Sequence, residues 1–168
     1  RDHAALLVEF QGNSEHELTD LAASAAPMFD ALPVVSPVEM TSKLSERNAL
    51  WAARRGLYTT VAGNRPSGTN ALLEDVVVPV DVLGTTCRDL TALFDAHGYQ
   101  DSVIFGHAKD GNIHFMLNEQ FRDAKQLVRY RDFTEEMVQL ILEADGSLKA
   151  EHGTGRIMAP FVRRQFGD

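Results

Sequence analysis

Apolar and polar positions alternate over ALLVEFQG, residues 5–12, and the alternation predicts a strand. Asn13 or Ser14 can then cap a helix running to about Asp30. VVSPVEM (34–40) reads as short and extended. In SERNALWAARRGLYTTVAG (45–63), Leu50, Trp51, Leu57, Tyr58 and Val61 recur at helical spacing, with Trp51 expected in the core. NRPSGTN (64–70) has loop composition, and LLEDVVVPV (72–80) is a strand that stops at Pro79. Asp81 is placed to cap a helix that ends near His97–Gly98. SVIFGHA (102–108) and NIHFML (112–117) are strands joined by Lys-Asp-Gly, and a long helix follows from about Asp123 to Ala144. SLKAEHGTGR (147–156) reads as a strand and then a Gly-rich loop, and Pro160 opens a last short helix.

Strands and helices alternate, yet one connection is a hairpin and some strands are amphipathic. The expected class is therefore α+β, an antiparallel-rich sheet with helices packed on one face. The 168 residues suit a single domain spanning 1–168.

The hairpin carries the chemistry. In GHAKDGNIHF (106–115), Asp-Gly between β-formers predicts a type I′ turn. With Asp110 and Gly111 at its centre, His107 lies opposite His114, with Cβ atoms about 5 Å apart. Ile104, Gly106, Ala108, Ile113, Phe115 and Leu117 then share one face, and Phe105, His107, Lys109, Asn112, His114 and Met116 the other. Two neutral imidazoles so placed can chelate a cation, or they form an ordinary polar cross-strand pair. KAEHGTGR offers a third donor in Glu151, and strand alternation would send His152 elsewhere, free to act as a base. Two His and one carboxylate suit zinc, iron(II) or manganese. In the competing reading, Glu151 pairs with Arg156 and the glycines simply turn the chain.

Charge and composition narrow the functions. The net charge is −8, and Arg54–Arg55 and Arg163–Arg164 are isolated basic pairs, so no nucleic-acid partner is expected. No apolar run is long enough for a transmembrane segment. The one cysteine, Cys87, excludes an internal disulfide and fits a reducing cytoplasmic setting. Neither GxGxxG nor GxxxxGK[ST] is present, so no nucleotide-phosphate cradle is expected. A metal-dependent hydrolase is a weaker third reading, since no Ser or Cys nucleophile motif supports covalent catalysis. The opening RDHAALLVEF and the closing VRRQFGD suggest a piece of a longer protein.

Four stretches in order carry a resemblance. GHAKDGNIHF is similar to the GH-x-x-DGN-x-H signature of FAD-linked 2-hydroxyacid dehydrogenases and oxidases, the D-lactate, glycolate and D-2-hydroxyglutarate type of the vanillyl-alcohol-oxidase superfamily. AEHGTGR resembles their EHG-x-G signature, LWAAR (50–54) their tryptophan–arginine motif, and EDVVVP (74–79) their central strand. The resemblance covers essentially the whole chain and is to the family's C-terminal cap domain, a ferredoxin-like α+β sandwich. It implies that FAD is bound mainly by a separate N-terminal domain of the same chain. HGTGRIMAPFV looks most like large bacterial members fused to a C-terminal iron–sulfur region, which implies a cluster there and a site in the cytoplasm or peripheral to the inner membrane.

Carried over by residue, the resemblance implies that His107, His114 and Glu151 bind a divalent metal, zinc first, with manganese or iron as alternatives. It makes His152 the base that takes the substrate hydroxyl proton, and Arg54 the group that holds the carboxylate of a 2-hydroxyacid. Lys109, Met116, Leu73 and Tyr58 depart from residues common in the family, so a second carboxylate clamp is not evident. The expected reaction is oxidation of a D-2-hydroxyacid to a 2-oxoacid, with hydride passing to flavin. The alternative is a non-catalytic ligand-binding or structural cap with a degenerate metal site.

Overall fold

The computed structural model describes residues 3–153 and 155–168. Its backbone divides into two compact units, Arg1–Thr60 and Val61–Asp168.

The first unit contains helix α1 (Glu15–Asp30) and most of α2 (Leu44–Gly63). α1 starts where the capping chemistry places it. The Ser14 hydroxyl accepts the Glu17 N–H, and the Glu17 carboxylate accepts the Asn13 N–H in return. Residues 5–12 form no strand, against the alternation. Leu6 is largely exposed. Trp51 is likewise not core: it is 38% exposed, and its indole N–H donates to Glu9, which also pairs with Arg47.

The second unit is built on strands β1 (Asn70–Val77), β2 (Val103–His107) and β3 (Asn112–Glu119), in the order β1-β3-β2 and antiparallel. Helix α3 (Leu83–Ala96) connects β1 to β2, and α4 (Ala124–Glu143) follows β3. α3 starts after a 3-10 turn at Val80–Val82, and its cap residue is Val82, not Asp81. Asp123, where the helix was expected to begin, caps α4 by accepting the Gln126 N–H at 3.0 Å. α3 and α4 cover one sheet face. There Leu90, Phe94, Phe133, Met137, Val138 and Ile141 meet Val76, Ile113, Phe115 and Leu117. The Phe94, Phe115 and Phe133 rings lie 5.5–6.1 Å apart.

This is the antiparallel α+β arrangement the pattern predicts, in the β-α-β-β-α order of a split βαβ unit. The fourth strand of that plan is reduced to one bridge, Val77 with Ser147. Residues 148–153 therefore form no strand, and α5 begins at Gly155 within the expected Gly-rich loop, whose Thr154 lies outside the described residues. Short helices α5 (Gly155–Met158) and α6 (Val162–Phe166) close the unit, with Pro160 at the first turn of the 3-10 segment between them.

Candidate metal centre

The hairpin register differs from the type I′ expectation by two residues. His107 pairs with Asn112, and His114 pairs with Phe105. The loop Ala108–Gly111 makes a 3-10 turn in which Gly111 alone is left-handed, with φ 68°. A Cβ on Gly111 would lie 1.9 Å from the Val78 carbonyl oxygen. Gly106 is equally confined, since a Cβ there would lie 2.1 Å from the Asn112 carbonyl oxygen. A shift of two preserves side-chain parity, whereas a shift of one would invert it. His107 and His114 therefore still share a face, as a diagonal pair with ring centroids 5.7 Å apart.

Glu151 completes the group. Its Oε1 lies 3.0 Å from His114 Nε2, 3.4 Å from His107 Nε2 and 3.7 Å from His152 Nε2. It thus faces three imidazoles rather than merely turning the chain beside Arg156. His152 also corrects the expectation. Because 151–152 is not a strand, the two side chains do not diverge, and the His152 ring comes within 5.4 Å of the His114 ring. His114 is buried, while His107, Glu151 and His152 are about half exposed, so the group opens outward.

Asp75, to which the sequence reading gave no role, lies beneath this group. It pairs with His114 across β1 and β3, and its Oδ1 is 3.3 Å from His114 Nδ1 without an aligned hydrogen bond. Oδ1 accepts the Asn112 amide at 2.8 Å. Oδ2 accepts three successive backbone N–H groups, from Ala150, Glu151 and His152, at 3.2, 2.8 and 2.9 Å. Burial pushes the Asp75 carboxyl up, but these hydrogen bonds outweigh it and hold the group below its ordinary value. The sequence signal was the Glu-Asp pair inside an otherwise apolar strand, LLEDVVV. The neighbouring Glu74 points to the opposite face and holds the Lys149 ammonium at 3.1 Å.

The donors suit a divalent cation. Ligands around a tetrahedral zinc at about 2.0–2.1 Å lie roughly 3.3 Å apart, close to the spacings around Glu151 Oε1. One donor atom each from Asp75, His114, Glu151 and His152 also falls within 4.8 Å of the others. Asp75 is the poorest ligand of these, because both its oxygens already accept hydrogen bonds. Burial lowers the His114 pKa against the charges of Asp75 and Glu151. That favours the neutral, metal-binding imidazole.

Arg54 belongs to the first unit, half-buried on α2. Leu73 and Met116 pair with each other next to Asp75 and His114 and form an apolar flank of the polar face. Lys109 projects from the hairpin tip into solvent. Cys87 packs against the core from α3, and burial pushes its thiol up, in keeping with a space-filling role. No helix among the described residues is long and apolar enough to cross a membrane.

A family profile described as "FAD linked oxidases, C-terminal domain" matches residues 1–168. The chain is 28% identical over 160 residues to "Glycolate oxidase subunit GlcD" of Bacillus subtilis, covering 95% of this chain and 33% of that protein. It is 29% identical over 121 residues to "Probable D-lactate dehydrogenase, mitochondrial" of Danio rerio, covering 72% and 24%. It is 24% identical over 169 residues to "D-2-hydroxyglutarate dehydrogenase" of Haemophilus influenzae, covering 96% and 16%. The chain spans a third or less of the length of these relatives.

Proposed function

Because the chain belongs to the family of FAD-linked oxidase C-terminal domains, we propose that it is the substrate- and metal-binding part of an FAD-dependent oxidoreductase that converts a D-2-hydroxyacid to its 2-oxoacid. The observation that carries this reading is the meeting of Glu151 Oε1 with the imidazoles of His114, His107 and His152 on one sheet face. The relatives' names agree with it: one acts on glycolate, one on D-lactate and one on D-2-hydroxyglutarate.

In this reading His107, His114 and Glu151 hold a divalent cation, zinc before manganese or iron. When bound, the cation supplies Lewis-acid polarisation of the substrate hydroxyl and carboxylate oxygens. FAD, assigned to another part of the full-length protein, supplies the acceptor for the hydride that leaves the α-carbon. His152 is the base. Its Nε2 is the farthest of the three Nε2 atoms from Glu151 Oε1 and its side chain is about half exposed, which supports a role in taking the hydroxyl proton. The substrate thus loses one proton and one hydride, which balances the oxidation. Arg54 is assigned to the substrate carboxylate on the strength of the tryptophan–arginine motif, where a bidentate guanidinium suits the planar anion.

Metal content per chain, measured by mass spectrometry on protein purified without chelators or a histidine tag, tests the ligand set. About one zinc, manganese or iron is expected per wild-type chain, and none in His114→Ala or Glu151→Ala. His152→Ala is expected to keep the metal and the flavin of the full-length enzyme while turnover on D-2-hydroxyacids falls by at least about 10²-fold. A wild-type chain that binds none of these metals, even when they are added, would leave the non-catalytic cap as the better reading.

A further inference from the structure

The geometry points to Asp75 as the positioning residue of the centre: one buried carboxylate fixes the main chain that presents Glu151 and His152 and lies directly behind the His114 ring. The inference rests on the metal-centre reading above and adds a residue that is not itself a ligand.

Three observations carry it. Asp75 is 1% exposed, so its charge is satisfied by protein groups rather than by water. Its Oδ2 gathers the N–H groups of three consecutive residues, two of which bear site side chains. Its Oδ1 is fixed by Asn112 and faces Nδ1 of His114, leaving Nε2 of that ring turned to Glu151. A carboxylate behind the distal nitrogen of a ligating histidine fixes ring orientation and raises ligand basicity. Asp75 lies 3.3 Å behind His114 Nδ1 without an aligned hydrogen bond, and its firm hold is on the opposite side of the same centre. Ladder pairing ends at Ser147, and beyond it the main chain is held by the Ser147 hydroxyl on the Lys149 carbonyl and by the three bonds to Asp75.

The test uses full-length protein carrying Asp75→Asn, Asn112→Ala or, as a control, Glu119→Gln. Glu119 is an equally buried carboxylate held by Tyr99 and Arg129, away from the hairpin histidines. Zinc affinity is measured by competition with a chromophoric chelator. Backbone exchange over 148–153 is measured by hydrogen–deuterium exchange mass spectrometry on metal-free protein.

Asp75→Asn is expected to weaken zinc binding by about 10–100-fold with one site retained at saturation. In the metal-free protein it should also speed exchange at 150–152 while the β3 and α4 peptides stay protected. Asn112→Ala should show a smaller change of the same kind, and it decides the matter if Asp75→Asn does not fold. Glu119→Gln should leave zinc affinity and the 150–152 amides unchanged.

Unaltered affinity and exchange in the folded Asp75 and Asn112 variants would overturn the inference. So would complete loss of the site in Asp75→Asn at saturating zinc, which would make Asp75 a ligand, or an equal loss of affinity in Glu119→Gln. Absence of zinc binding in the wild type would strike the metal-centre reading instead. Fast exchange at 150–152 in Asp75→Asn alone would still support the anchoring half of the inference.

Discussion

On one face of the sheet, Val76, Ile113, Phe115 and Leu117 are shut away by two helices. On the other, Asp75, Asn112 and His114 are nearly as inaccessible, yet each carries groups that water would solvate well. The two faces alternate along the same strands, so neighbouring residues of β1 and β3 meet opposite environments. The first face gains from apolar burial, roughly 25 cal/mol for each Å² removed from water. The second gains less of this, chiefly through Met116, and each buried polar group left unmatched costs about 1–3 kcal/mol. A domain seeking only stability would make both faces alike. The polar face persists here as a network around one carboxylate, and what it holds in place is the His–His–Glu group.

Cutting into the apolar face should give the largest effect. Phe115→Ala removes the ring that meets both Phe94 and Phe133, and it should lower unfolding stability by about 3–5 kcal/mol in urea titrations. Zinc bound per folded chain should nevertheless stay near wild type, since the ring points away from the histidines. Loss of metal from the folded fraction would mean that the faces are not separable.

Acid sharpens the contrast between two buried carboxylates outside the metal centre. Burial raises the Glu119 carboxyl, but Arg129, the Gln120 N–H and Tyr99 prevail and hold it below its ordinary value. Its stabilisation is therefore complete above the ordinary carboxyl pKa of about 4.3 and is lost as pH falls through the lowered folded value. Glu74 runs the other way. Burial raises it against the charge of Lys149, so the folded chain binds that proton more tightly. The stabilisation this brings is full below about pH 4.3 and disappears as pH rises through the raised folded value. With metal chelated, the stability gained between about pH 4 and pH 7 should shrink in Glu119→Gln and grow in Glu74→Gln. Parallel pH profiles for wild type and both variants would refute the assignment.

The smallest effect belongs to the tip. Lys109 faces solvent beside Asp110, and Lys109→Gly should change stability by no more than about 0.5 kcal/mol in the same titrations, with zinc affinity untouched. A larger shift would show that the 3-10 turn depends on that side chain.

Much of this was readable from sequence. The cap at Ser14, the start of the long helix near Asp123, the strand before Pro79 and the sharing of one face by His107 and His114 follow from local chemistry and periodic patterning. The register did not follow, because Asp-Gly also fits a longer loop in which only the glycine is left-handed, and the close approach of Val78 to Gly111 selects it. Residues 5–12 alternate like a strand but form none, since alternation alone does not supply the partner a strand needs. The divergence expected of Glu151 and His152 assumed an extended backbone, which the single Ser147 bridge does not propagate. Asp75 went unassigned because its partners are main-chain amides 75 to 77 positions away, and main-chain groups leave no mark in the letters of a sequence.

That anonymity of the partners has a consequence for how the domain can change. In an extended strand, consecutive N–H groups point to alternate sides and cannot reach one acceptor. The sheet's unfinished fourth strand is what lets three of them converge on Asp75. Since this grip is on peptide groups, it does not depend on which side chains stand at 150, 151 and 152. They form an interchangeable cassette: new residues there would inherit a prepared placement over the histidines, so a lineage could try different chemistries at this spot without first rebuilding the scaffold that presents them.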